Sequence, residues 1–124
     1  MTEHWQHAHL YEMVKRVARG RAATPRINRH AELLRQLATA RQRIQHATIR
    51  EAKKDLVLAL VDCAQAIIKG KSPVNPGQYQ ALVRRSKDIS DLIAPGVSLS
   101  TRKRVLQKGG FLTALLGPLL GALF

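Results

Sequence analysis

The stretch from Thr48 to Gly70, TIREAKKDLVLALVDCAQAIIKG, decides the fold. Leu56, Val57, Leu60, Val61, Ala64, Ile67 and Ile68 recur at steps of three and four, which is the apolar side of a helix. Leu58 and Cys63 widen that side, so this helix belongs at the centre of a core. Thr48 followed by Glu51 has the pattern of a capping box, and Gly70 supplies a stop. The spacing therefore predicts a helix from Thr48 to about Lys69. Lys53 and Lys54 lie in its first turns, and Asp55 balances one of them.

Upstream, Leu33, Leu34, Leu37, Ala40 and Ile44 predict an amphipathic helix from about Arg29 to Ala47. Arg35, Arg41 and Arg43 lie off its stripe. Trp5, Leu10, Met13, Val14 and Val17 predict a further helix from Glu3 to Arg19, stopped by Gly20. Arg21 to Asn28, with Pro25, reads as a linker.

Downstream, the two prolines of Lys71–Gly77 form a rigid turn. A helix is expected from Pro76 or Gly77 to about Ala94. Tyr79, Leu82, Val83, Ile89, Leu92 and Ile93 should face inward, and Arg84, Arg85 and Lys87 outward. Pro95-Gly96 ends it. Ser98 or Ser100 then caps a short basic helix to Lys108, with Arg102, Lys103 and Arg104.

After Gly109-Gly110 the composition changes: FLTALLGPLLGALF, residues 111–124, holds no charge. It is shorter than the ~20 residues of a membrane span. Gly117-Pro118 would kink a helix there. Two fates stand open for Phe111, Leu112, Leu115, Leu116, Pro118, Leu119, Leu120 and Phe124. They pack on the core or in an oligomer contact, or they form a membrane-seeking or assembly peptide. The expected class is all-α: about four amphipathic helices, a short basic fifth and an apolar tail. The expected divisions are 1–27 (helix and linker), 28–97 (helical core), 98–110 (basic segment) and 111–124 (tail).

The whole chain of 124 residues suits one domain. Lys and Arg number 21 against 8 acids, a formal charge of +13, which directs the protein to polyanions: DNA, RNA or an anionic membrane. Aromatics are only 4%, so base stacking is not the expected mode and phosphates are. The basic residues spread over every helix, which suits neutralisation without sequence readout. The long, proline-rich 71–77 turn argues against a helix-turn-helix reader.

No catalytic constellation is visible. Acids are scattered, no phosphate-cradling glycine loop occurs, and Cys63 lies in an apolar run without a neighbouring base. His4, His7 and His9 lack the partners of a metal site and read as exposed side chains. The expectation is no enzyme, no metal and no cofactor. One cysteine excludes an internal disulfide, and the start of the chain lacks a signal-peptide pattern, which together fit a reducing compartment.

The segment RKRVLQKGGFLTALLGPLLGALF, residues 102–124, resembles core protein X (precursor of mu) of adenoviruses. It is closer still to the X-like proteins of adintoviruses and Polinton (Maverick) elements. That likeness covers the latter two thirds: Leu56–Gly70, Ser72–Gly77, Gln78–Ala94, Val97–Leu99 and Arg102–Phe124. The chain departs from the family in Asp88 and Asp91, which interrupt the basic helix, and in its first 30 residues, which lie outside the likeness.

The resemblance implies a virion core protein that condenses the double-stranded DNA genome, in the virion and in the host nucleus during assembly. It also implies a maturation-protease site at Gln107-Lys108-Gly109-Gly110, cut before Phe111, and contacts with other virion proteins. On this reading Arg84, Arg85, Lys87, Arg102, Lys103, Arg104 and Lys108 neutralise phosphates, helped by Arg35, Arg41, Arg43, Lys53 and Lys54. Two rival readings are a membrane-active protein, whose tail inserts beside cations on anionic lipid, and a helical scaffolding protein whose tail drives oligomerisation.

Overall fold

The computed structural model describes residues 24–70 and 74–120, and the expected helix at Glu3–Arg19 lies outside them. The described residues are all-α, as the periodicities require. In order they form α1 (Pro25–Arg29), α2 (Ala31–Thr39), α3 (Gln42–Glu51), α4 (Lys54–Ile68), α5 (Pro76–Arg84), α6 (Ser86–Ile93), α7 (Leu99–Leu106) and α8 (Phe111–Leu116). A 3-10 turn, Gly117–Leu119, follows α8.

The linker expected up to Asn28 is helical from Pro25. The Thr24 hydroxyl accepts from the Ile27 N–H, and Pro25 occupies the first turn, where its missing N–H is no loss. α1 buries Ile27 completely.

The helix expected over Arg29–Ala47 is broken at Ala40 and Arg41, both in extended conformation. At the break the Leu37 carbonyl keeps only a 3.3 Å bond from the Ala40 N–H. Gln45, buried on α3, answers it: its Nε2 donates to the Leu37 carbonyl at 2.8 Å and lies 3.1 Å from the Thr113 hydroxyl on α8. The restart also changes the phase. Gln45 and Ile49 turn inward, while Ile44, expected inside, is 55% exposed.

Thr48 caps no helix. It lies within α3, where its hydroxyl donates to the Ile44 carbonyl at 2.8 Å, a bond open to any mid-helix threonine. The real boundary is Ala52-Lys53, both extended, and α4 starts at Lys54 with Asp55 favourably in its positive first turn.

α4 is central, as its apolar run predicts. It buries Leu56, Val57, Leu60, Val61, Cys63 and Ala64 and packs against α1, α6, α7 and α8. Ile68, at its end, escapes the core and is 55% exposed. The next expected helix is two, α5 and α6, interrupted at Arg85. Asn75 and Gln78 form a reciprocal capping box at its start. Val83, expected inside, is 49% exposed. Ser98 is the cap of α7, its hydroxyl accepting from the Thr101 N–H.

The largest departure from a core-plus-tail organisation is at the C-terminal end. Phe111, Leu112, Leu115, Leu116 and Leu119 are buried to 1% exposure or less, and α8 packs against α2, α4, α5 and α7. The large apolar side chains of residues 111–119 belong to the same core as α2 and α4, while Thr113 is exposed. Pro118 is buried too, and Leu120 packs against the core, whereas Phe124 lies outside the described residues. Each full burial contributes about 1.5–3 kcal/mol, so this segment supplies much of the drive to fold. Among the described residues no helix is long and apolar enough to cross a membrane.

The turn into α8 requires glycine. Gly110 has φ +75°, a left-handed conformation, and an added Cβ would lie 2.9 Å from the Arg85 guanidinium.

Candidate nucleic-acid interface

α3 and α7 lie side by side and antiparallel. Gln107 Nε2 donates to the His46 carbonyl at 3.2 Å, and Lys103 Nζ to the Arg50 carbonyl at 3.0 Å. As numbering rises on α3 it falls on α7. The same run places Gln42 against Gly109, whose added Cβ would come within 2.9 Å of Gln42 Nε2.

Core burial fixes the outward faces of this pair. α3 turns Gln45 and Ile49 inward, so Arg43 and Arg50, seven residues apart, share its exposed face. α7 turns Val105 and Leu106 inward, so Arg104 faces out. Arg41 at the start of α3, and Lys53 and Lys54 beyond its end, are exposed as well. None of these six side chains has a hydrogen bond or ion pair with another described residue. Together they make a basic ridge without acid partners.

The remaining sequence-predicted cations divide into two groups. Arg84 and Lys87 are exposed and unpaired among the described residues, but they lie on α5 and on α6, which packs against α7, and not on the α3–α7 pair itself. The others hold the fold. Arg102 donates to the Leu92 carbonyl at 2.9 Å and the Ala94 carbonyl at 3.1 Å, closing the C-terminus of α6. Lys103 does the same for α3. Arg85 donates to the Gly109 carbonyl at 2.9 Å. Lys108 pairs with Asp88 at 2.6 Å, and Arg35 pairs with Glu32 one turn away. Arg102, Lys103 and Arg85, expected to contact phosphate, are engaged here with helix and turn carbonyls. These carbonyls have no other partner among the described residues.

Sequence reading missed Arg50. Its signal is the seven-residue spacing from Arg43, hidden by the helix boundary expected at Thr48. It also missed that acids claim some cations. Asp62, 8% exposed on α4, takes a two-pronged bond from Arg26, with both contacts at 3.0 Å, and a third from Thr24. The bond to Asp62 raises the Arg26 pKa above its ordinary value. Asp55 is held below the usual carboxylate range by hydrogen bonds from His30 and then Arg29. Cys63 is buried, and burial, aided by Asp62, pushes its thiol up to about 12, which keeps it protonated and unreactive.

The four residues at the expected cleavage point are folded into the turn. Gln107 bonds α3, the Gly109 carbonyl is held by Arg85, Gly110 is left-handed, and Phe111 is buried with its N–H bonded to the Lys108 carbonyl. A protease cleft that takes an extended chain could engage this segment only after the turn opens. Among the described residues, no group of histidine, cysteine and carboxylate side chains could hold a metal.

Comparison with protein families, with curated proteins and with solved structures finds no match for the chain.

Proposed function

We propose that this chain is a virion core protein that binds and condenses double-stranded DNA without sequence preference. The ridge of Arg41, Arg43, Arg50, Lys53, Lys54 and Arg104 neutralises phosphates. One observation carries the reading: Arg43, Arg50 and Arg104 are exposed on two adjacent antiparallel helices, Arg41, Lys53 and Lys54 flank α3, and none of the six is paired with an acid among the described residues. Phosphate needs charge at the surface and little else, and a ridge poor in aromatic side chains offers that. The net charge of +13 supports it from the whole molecule, and the resemblance to X-like core proteins supplies the genome as ligand.

The membrane-active alternative draws on Phe111, Leu112, Leu115, Leu116 and Leu119, which are interior side chains in this fold. Insertion would require α8 to leave the core and expose the apolar faces of α2 and α4.

The test is a gel-shift series with unrelated duplexes of equal length. About six engaged phosphates should make affinity fall on the order of 10³-fold between 50 and 200 mM salt, with equal affinity for every sequence. Affinity independent of salt, or strong preference for one duplex, overturns the proposal.

A further inference from the structure

A groove of about 470 Å³ lies between the C-terminal end of α4 and the α5–α6 pair, at the opposite end of α4 from Lys54. One wall is Ile67 and Ile68. The other is a single stripe that crosses the Arg85 break: Tyr79, Val83, Ser86 and Ile93, at helical spacing, fall on one side. The lips are apolar and open, with Ile68 55% and Val83 49% exposed. Such an open apolar trough fits the apolar side of an amphipathic helix better than a small molecule enclosed on all sides.

Charge selects the occupant. Lys69 follows Ile68, Arg84 follows Val83, and Lys87 stands one turn beyond Val83. All three are exposed and unpaired among the described residues. Of the nearby acids, Asp88 is paired with Lys108, which leaves Asp91 as the one opposing charge on α6. A second copy of this chain would bring the same three cations to the same lips, on a molecule of charge +13 that repels itself. An acidic partner gains attraction where a second copy meets repulsion.

We infer that the groove between α4 and α5–α6 docks an amphipathic helix of a partner protein, with glutamate or aspartate flanking its apolar stripe. The partner's apolar residues seat between Ile68 and Val83, and its acids meet Lys69, Arg84 and Lys87. The site uses none of the ridge cations and does not rest on the DNA reading. A protein so built can hold a polyanion on one face and an acidic helix on another.

The experiment uses the full chain and two dye-labelled synthetic helical peptides, about 18 residues and five turns long. They share one apolar stripe, flanked by Glu in one and by Lys in the other. Fluorescence anisotropy should show binding of the Glu-flanked peptide alone. The Ile68→Gln/Val83→Gln double variant should weaken it about tenfold or more. Charge attraction to the rest of the molecule is unchanged by that variant, and both side chains are half exposed, so a circular-dichroism melt should match the parent. Several outcomes overturn the inference: equal binding of both peptides, no binding of either, or binding that the double variant leaves intact. It is equally overturned by sedimentation showing a dimer that the double variant dissociates, or by binding of the Glu-flanked peptide only after removal of residues 1–19.

Discussion

The segment from Phe111 to Leu120 holds no charge and the neighbouring α3–α7 pair is rich in it, yet one glycine turn joins the segment to α7. The uncharged segment has the composition of a membrane tail, and it fills the interior. The charged pair has the composition of a uniform phosphate-binding surface, and it is divided. Arg43, Arg50 and Arg104 project, while Arg102 and Lys103 face inward to helix carbonyls. Composition states what a segment avoids. Which alternative it meets is decided by the neighbours that the fold provides.

The largest effect should come from the interior. Phe111→Ala removes a fully buried ring and is expected to cost about 3–5 kcal/mol, read by urea unfolding. A loss under 1 kcal/mol would return the segment to the status of a tail. Arg102→Ala should cost about 1.5 kcal/mol, since two charge-assisted bonds to α6 carbonyls are lost, while the salt slope of DNA binding stays as in the parent. A slope reduced with no change in unfolding midpoint would erase the division within α7.

The Arg43→Ala/Arg50→Ala/Arg104→Ala triple variant should do the reverse. Stability should stay within about 0.5 kcal/mol of the parent, because surface positions without partners contribute little. The slope of log affinity against log salt should fall by about 2.7, near 0.9 per phosphate contact.

The smallest effect concerns Asp55. Its folded-state pKa is lowered by His30 and Arg29, so its stabilisation is present above the ordinary carboxylate pKa and is lost as pH falls through the folded value. The parent should be more stable than Asp55→Asn at neutral pH, and the difference should begin to shrink below about pH 4 and vanish only below the folded value. A difference independent of pH would assign the effect to packing.

The legibility of the fold followed the strength of local signals. α4 was plain because nine tightly spaced apolar residues admit only a buried helix. The breaks at Ala40-Arg41, Ala52-Lys53 and Arg85 were not, because no glycine or proline marks them. Apolar spacing also continues in phase across the first, through Leu37, Ala40 and Ile44. Thr48 and Glu51 imitated a cap where the true boundary carries no side-chain cap. The apolar segment was ambiguous in principle, since a protein core and a lipid layer reward the same side chains. Exposed cations were legible by residue type. The structural roles of Arg102 and Lys103 were not, because their acceptors are carbonyls 10 and 53 residues away, and carbonyls have no sequence identity.

The burial of α8 has a consequence for synthesis. Ile27, Leu34 and Leu37, near the start of the described fold, share one core with Phe111 to Leu119. While the chain is still emerging from a ribosome, the earlier helices have an unfilled apolar seat. Closure waits until residue 119 has cleared the exit tunnel. Until then the nascent chain displays greasy faces beside many positive charges, and mutual repulsion between chains is what delays their aggregation.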